Sequence, residues 1–412
     1  MGKFFDKYFK TIIAILVTAT IFTCVGALLG KKLAFAQPIT QTQTPEKIEQ
    51  NEQTRDAALK KAEEVFDIVD RYYIGDVDPT YMGDAVSAGI IAGTGDRWSY
   101  YISAASFEEY MEGMNNAYVG VGITIRLENK DDEGYTVISV TKGSPAENAG
   151  VVAGDVFIKV NGEDVLPLGM DETKNRVRGE EGTEVTLTFL RDGKELTFTM
   201  KRASVPVENV TYQVLDDTVG YIKIGNFDTN ACKDTVAAIE AVRAEGATSL
   251  LFDVRYNPGG MKSELISLLD YLLPKGKLFI SEDYEGNQTI DYSDKNCVEL
   301  PMAVLVNGDS YSAAEFFAAA LQEYGVAKIY GTQTCGKGYF QTTIPLSDGS
   351  AVAISIGKYR TPNGVSLAEV GGLAPDQTVE VDEETYYNIY YDLVAPEDDI
   401  QIAAAISGLK QE

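Results

Sequence analysis

The chain contains no histidine. That absence excludes Ser-His-Asp and Cys-His catalysis, and it excludes zinc sites built on imidazole. Cysteine is sparse: Cys24, Cys232, Cys297 and Cys335 are the only four in 412 residues, with no C-x-x-C spacing. Cys24 lies in an apolar run, so neither a metal site nor a disulfide framework is indicated. Basic residues are also few. Lys and Arg number 35 against 62 Asp and Glu, a net charge of −27. A nucleic-acid binder needs a basic stripe to neutralise phosphates, so no nucleic-acid partner is expected. Apolar and aromatic residues are plentiful. A hydrophobic fraction of 45% and 24 tyrosines argue for packed globular structure, and the length suits two or three domains.

The N-terminus reads as an address. Lys3, Lys7 and Lys10 precede an apolar run from Thr11 to Gly30. About 20 residues in a helix span a ~30 Å hydrocarbon core. Lysines before such a run orient it with a cytoplasmic N-terminus and an exported body. The length of the run and the intervening Lys31-Lys32 favour a retained single-pass anchor. The triplet Ala34-Phe35-Ala36 resembles a signal-peptidase site, so cleavage near Ala36 and secretion is the alternative.

Six segments follow from the pattern. Residues 1–36 form the signal or anchor and 37–55 a polar tether. A helical region covers 56–117, where Leu59, Val65, Phe66, Val69, Tyr72 and Tyr73 fall on a 3.6-residue stripe. Residues 118–203 alternate like strands between Gly and Asp turns. Residues 204–384 alternate strand and helix, which predicts an α/β domain with mainly parallel strands. A helical tail covers 385–412.

Four stretches carry chemistry. In "VGVGITI", Val119, Gly120, Val121, Gly122 and Ile123 precede a strand. Consecutive backbone N–H groups there can hold a peptide's terminal carboxylate while the peptide adds as a strand. "SPAENAG" after it reads as a short helix and "GDVFIKVNG" as a strand closed by an Asn-Gly turn. In "FDVRYNPGG" a buried strand ends at Gly259-Gly260, whose N–H groups can stabilise an oxyanion, an effect worth ~3 kcal/mol per donor. A plain strand-to-helix turn explains the same residues.

In "NGDSYSAAEFF" a strand leads into a helix near Ala313. Ser312 then sits at the helix N-terminus, where the Ala313 N–H and the dipole favour negative charge. Ser312 to Glu315 is equally an S-x-x-E capping box, and Ser310 is a second candidate for either role. In "TQTCGKGYFQ" two glycines flank Lys337. A lysine acts as base only if burial or a positive dipole brings its pKa from ~10.4 toward about 7–8. A solvated loop lysine is the ordinary reading, and Cys335 lacks an obvious partner.

These stretches, in this order over roughly residues 60–380, resemble the carboxyl-terminal processing peptidases, or tail-specific proteases, with an embedded PDZ domain. The match extends to "LSDGS…YRTPNG" and "GLAPD". The resemblance implies an α/β, multidomain (α+β) fold whose protease core is like the crotonase fold. It implies a Ser-Lys dyad: Ser312 as nucleophile, Lys337 as base 25 residues later, and Gln341 positioning the lysine. Ala313 with Gly259 or Gly260 would form the oxyanion hole. Arg178 matches a PDZ arginine that can link that domain to the core. The implied protein is an exported serine endopeptidase that captures apolar C-terminal tails, needs no metal or cofactor, and pairs as a homodimer in some relatives.

Three departures touch the site and its surroundings. Tyr311 stands where the family usually has alanine, Cys335 where it has phenylalanine, and "GDRWSYYI" replaces "LDPHSxYL". Two rivals stay open: a catalytically silent PDZ-bearing surface protein, and a Ser-Lys hydrolase of other amides or esters. The S-x-x-K at Ser139 to Lys142 is the spacing the second would use, but it falls in the strand-rich segment and lacks a K-T-G partner.

Overall fold

A computed structural model describes residues 45–127 and 133–411. The apolar run at 11–30, and with it the anchor expectation, lies outside the described residues. Among the described residues no helix is long and apolar enough to cross a membrane. The chain divides into two compact units, residues 1–101 with 343–354, and residues 102–342 with 355–412.

In the first unit, α1 (Pro45–Tyr72) and α2 (Pro79–Ala92) are the helices. The polar stretch expected as a tether is helical from Pro45, a correction with a simple cause. Proline suits a first helical turn, and the Glu, Lys, Gln and Ala that follow are good helix formers with no glycine to interrupt them. Leu59, Val65, Phe66 and Tyr72 on α1, and Tyr73 just after it, are exposed. Asp78 caps α2, its carboxylate accepting from the Thr80 and Tyr81 N–H groups at 2.8 and 3.1 Å.

The second unit opens with α3 (Ala104–Met114) and then a six-stranded antiparallel sheet, five strands on its main path and the short strand Glu163–Asp164 beside the third. Its order is β1 (Ile123–Arg126), β2 (Tyr135–Val140), β3 (Val156–Val160), β4 (Glu184–Arg191) and β5 (Lys194–Lys201), so β1 lies at an edge. Alternate residues turn inward, and Val137, Phe157, Leu187 and Phe189 meet in a dry core. The short helix α4 (Pro145–Ala149) is capped by Ser144 and closed by Gly150 at φ 92°. The helix α5 (Val165–Val177) completes this part of the unit.

The larger core is a three-layer α/β sandwich. The sheet runs β6 (Val210–Leu215), β7 (Val219–Ile224), β8 (Ser249–Asp253), β11 (Met302–Val306) and β12 (Ala327–Gly331). From β7 to β12 all neighbours are parallel, while β6 is antiparallel to β7. Residues of β8 and β11 are buried throughout, as strands covered on both faces must be. Leu250, Phe252 and Val304 face α6 (Ala231–Ala244), α7 (Lys262–Leu272) and α8 (Ala313–Glu323). Leu251, Ala303 and Leu305 face α9 (Ile400–Leu409) on the other side. Strands β9 (Lys277–Asp283) and β10 (Gln288–Tyr292) form a hairpin, and β14 (Ala351–Arg360) pairs with β9; the intervening strand β13 is Tyr339–Pro345.

One buried charge cluster locks the tail to this sheet. Arg255, just past β8, pairs with Asp253 at 2.6 Å and with Asp399 at 2.8 Å, and also donates to Gln401 at 2.8 Å. Tyr221 donates to Asp253 at 2.8 Å. Removing the arginine strands two buried carboxylates. Arg255→Met is therefore expected to cost about 3–5 kcal/mol of stability, read from the urea midpoint. A midpoint within error of the parent's contradicts the role of this cluster.

Candidate active site

Two chain reversals at the C-terminal ends of neighbouring parallel strands build the site. After β8, Asn257 anchors the turn by donating to the Ile224 carbonyl at 2.8 Å and accepting the Gly259 N–H at 2.8 Å. After β11, Asn307 accepts the Tyr256 and Asp309 N–H groups at 3.0 and 3.1 Å, stitching the two reversals together. Tyr311 then donates its N–H to the Asn257 carbonyl at 3.2 Å.

Of the two candidate serines, Ser310 is fully buried. It donates to the Val254 carbonyl at 2.7 Å and accepts the Asn307 N–H. It is a structural residue. Ser312 is half-buried and sits at φ 58°, ψ −120°, at the junction into α8. A β-carbon-bearing residue in that region is strained, by of order 1–3 kcal/mol, and a strand-turn-helix elbow of this kind projects a nucleophile. Gly259, at φ 92°, lies flat against the elbow. A Cβ there would sit 2.7 Å from the Ser312 Cβ and 2.8 Å from the Ala313 nitrogen. Its N–H is committed to Asn257. Gly260 bridges Phe227 through its neighbours: Phe227 donates to the Gly259 carbonyl and Met261 to the Phe227 carbonyl, leaving the Gly260 N–H outside that bridge.

Lys337 arrives on the loop after β12. Cys335 donates its N–H to the Ser310 carbonyl at 3.2 Å. Gly336, at φ 82°, has its missing Cβ 2.9 Å from the Gly372 nitrogen, so the "GLAPD" stretch packs on this loop. The Lys337 Nζ lies 5.9 Å from the Tyr311 ring centroid.

Glu315 joins elbow and lysine loop. One carboxylate oxygen accepts the Ser312 N–H at 3.0 Å and the Lys337 N–H at 2.8 Å. The other accepts the Thr334 hydroxyl at 2.8 Å and the Gly336 N–H at 2.9 Å. The expected capping glutamate is thus present, and the same carboxylate also organises a loop 19 to 22 residues later. Burial pushes its carboxyl up, against the pull of these four hydrogen bonds.

Tyr359 of β14 was not singled out by the sequence. Its hydroxyl donates to the Lys337 carbonyl. Burial holds its phenol well above the usual range, with Glu315 adding to the effect. Its ring packs on Phe279 and Phe316. Gln341 of β13 turns its amide to the Ser355 hydroxyl at 3.1 Å and to the Tyr339 carbonyl at 3.3 Å.

The second expected site lies at the start of β1. Val121 is buried, and Gly122, at φ 83°, has its missing Cβ 2.3 Å from the Ser144 Cβ, so only glycine fits. The Val119 N–H donates to Glu112 of α3 at 2.8 Å. Arg178, after α5, pairs with Glu112 at 3.2 Å and lies 5.0 Å over the Tyr118 ring. Its partners in the structure are therefore on α3 and beside the glycine loop.

Comparison with known proteins follows the same division. The model of peptidase family S41 matches residues 218–379, and that of the PDZ domain matches 136–191. A "Probable CtpA-like serine protease" of Staphylococcus aureus (strain N315) is 33% identical over 348 residues, covering 84% of this chain and 69% of its own. One from Staphylococcus epidermidis (strain ATCC 12228 / FDA PCI 1200) is 31% identical over 340 residues, covering 82% and 68%. Among solved structures, a photosystem II D1 C-terminal processing protease is 26% identical, covers 76% of this chain and 86% of its own, and has a TM-score of 0.45.

Proposed function

The chain belongs to peptidase family S41 and is a serine peptidase with a PDZ domain, and from that premise we propose that it is an endopeptidase working through Ser312 and Lys337. The observation that carries this reading is the shared carboxylate oxygen of Glu315, which accepts the N–H groups of both residues. Neutral Lys337 takes the Ser312 proton as the oxygen attacks a peptide carbonyl. The Ala313 N–H and the Gly260 N–H receive the developing oxyanion. The lysine returns the proton to the leaving amine, and water then hydrolyses the acyl-enzyme. Gln341, on the strand that follows the lysine loop, positions Lys337.

Substrate tails are captured at the loop Val119 to Ile123 and extend β1 as an added strand, the reading supported by its edge position and glycine-bearing turn. Lysines followed by the apolar run at 11–30 support an extracytoplasmic body held by, or released from, that segment. The exposed apolar residues of α1 support pairing of two copies.

Tail capture has a direct test. An unstructured substrate ending in small apolar residues is compared with its C-terminally amidated form. Amidation removes a carboxylate held by charge-assisted hydrogen bonds, so KM is expected to rise about tenfold or more with kcat little changed. Equal KM for the two forms contradicts capture through the carboxylate.

A further inference from the structure

We propose that Tyr311 is a positioning residue for the base: its ring face holds the Lys337 ammonium and sets the pH at which the lysine becomes available to Ser312. The inference rests on the Ser312-Lys337 reading and assigns a purpose to a bulky ring beside the nucleophile. The Lys337 Nζ lies 5.9 Å from the Tyr311 ring centroid, within the range of cation–π attraction. The ring is half-buried, where such attraction is screened less than at an open surface.

Its placement is fixed from both sides. The Tyr311 N–H is held by the Asn257 carbonyl at 3.2 Å, and the Tyr311 carbonyl accepts the Ala314 N–H at 3.2 Å. The lysine loop is held beside it by the Cys335 N–H on the Ser310 carbonyl. Burial, followed by Cys335 and Asp309, pushes the Tyr311 phenol up. The ring therefore stays neutral while the lysine titrates, and acts through its quadrupole alone.

Other groups hold the backbone of the lysine or lie near its loop. Glu315 of α8 accepts the Lys337 N–H, Tyr359 of β14 donates to its carbonyl, Ser312 belongs to the same elbow as the ring, and Cys335 lies two residues before the lysine on its own loop. All four stay constant when only residue 311 is changed. The sign of the effect is diagnostic. A ring face attracts the ammonium and keeps it charged to higher pH. A ring that merely excluded water would favour the neutral amine and do the opposite.

The test measures the rate at which a fluorophosphonate phosphonylates Ser312, with loss of fluoride, as a function of pH, in the parent and in Tyr311→Phe, Tyr311→Trp and Tyr311→Ala. The midpoint of the acid limb is expected to fall by about half a pH unit in the alanine variant. The phenylalanine variant keeps the parent midpoint and the tryptophan variant raises it. A midpoint that is the same across the series, or that rises on truncation to alanine, overturns the inference. Should the tryptophan variant fail to fold, the alanine and phenylalanine pair decides the sign. Lys337→Ala separates the two levels. Labelling of that variant at the parent's rate and pH profile refutes the dyad itself. Labelling that is lost in Lys337→Ala while the Tyr311 series is flat refutes the tyrosine's role alone.

Discussion

Ser312→Ala and Lys337→Ala are each expected to lower kcat/KM by roughly 10⁴-fold or more, and the double variant is expected to be no slower than the slower single. Nucleophile and base act as a unit, so removing either removes the same step. Residual turnover then reflects binding and the oxyanion donors alone. The choice of Ser312 over Ser310 follows from their surroundings. Ser310 is spent on the Val254 carbonyl, whereas Ser312 is the strained, half-buried residue of the elbow. Additive losses in the double variant, with each single only modestly impaired, contradict the account. Thermal unfolding of the variants should stay near the parent's, because truncating a strained serine side chain empties no core.

The second large effect is expected at Glu315. In Glu315→Gln the side chain keeps one acceptor oxygen where there were two, and its new N–H₂ faces donors. Either the Ser312 and Lys337 N–H groups or the Gly336 N–H and Thr334 hydroxyl lose their acceptor. Displacing nucleophile and base relative to one another by about 1 Å is expected to cost on the order of 100-fold in kcat/KM. The loss of stability is smaller, about 1–3 kcal/mol for a buried group left unsatisfied. The sign of the carboxyl's own titration explains why. Its folded pKa is raised, so its stability contribution is present below the unfolded value and fades as pH rises through the folded one. Once ionised, the carboxylate serves geometry more than stability, through the four hydrogen bonds it accepts. Parent-like activity together with a lowered urea midpoint would sink this reading.

The parts of this molecule that local pattern controls were legible in the sequence. Apolar runs such as "SLLFD" and "MAVLV" marked strands buried on both faces, and the serine and lysine stretches were recognisable by their spacing. The S-x-x-E at Ser312 marked a capped helix correctly, yet hid the larger role of Glu315. Its other partners lie 19 to 22 residues away on a loop whose path no local propensity fixes. Tyr359 was inside a recognised motif, but its hydroxyl meets Lys337 only because β14 pairs with β9 beside the elbow. Arg255 was legible as a strand-end residue; its partner Asp399 is 144 positions away. The polar stretch from Pro45 misled for the opposite reason. Polarity argued for a tether, while the helix-forming character of the same residues decided the outcome.

The measurement that tests the central claim most directly is to treat residues 38–412 with a fluorophosphonate and map the adduct by mass spectrometry, in the parent and in Lys337→Ala. The account expects one adduct, on Ser312, formed slowly or not at all without the lysine. An adduct on another residue, or equal labelling of Ser312 in both proteins, contradicts it.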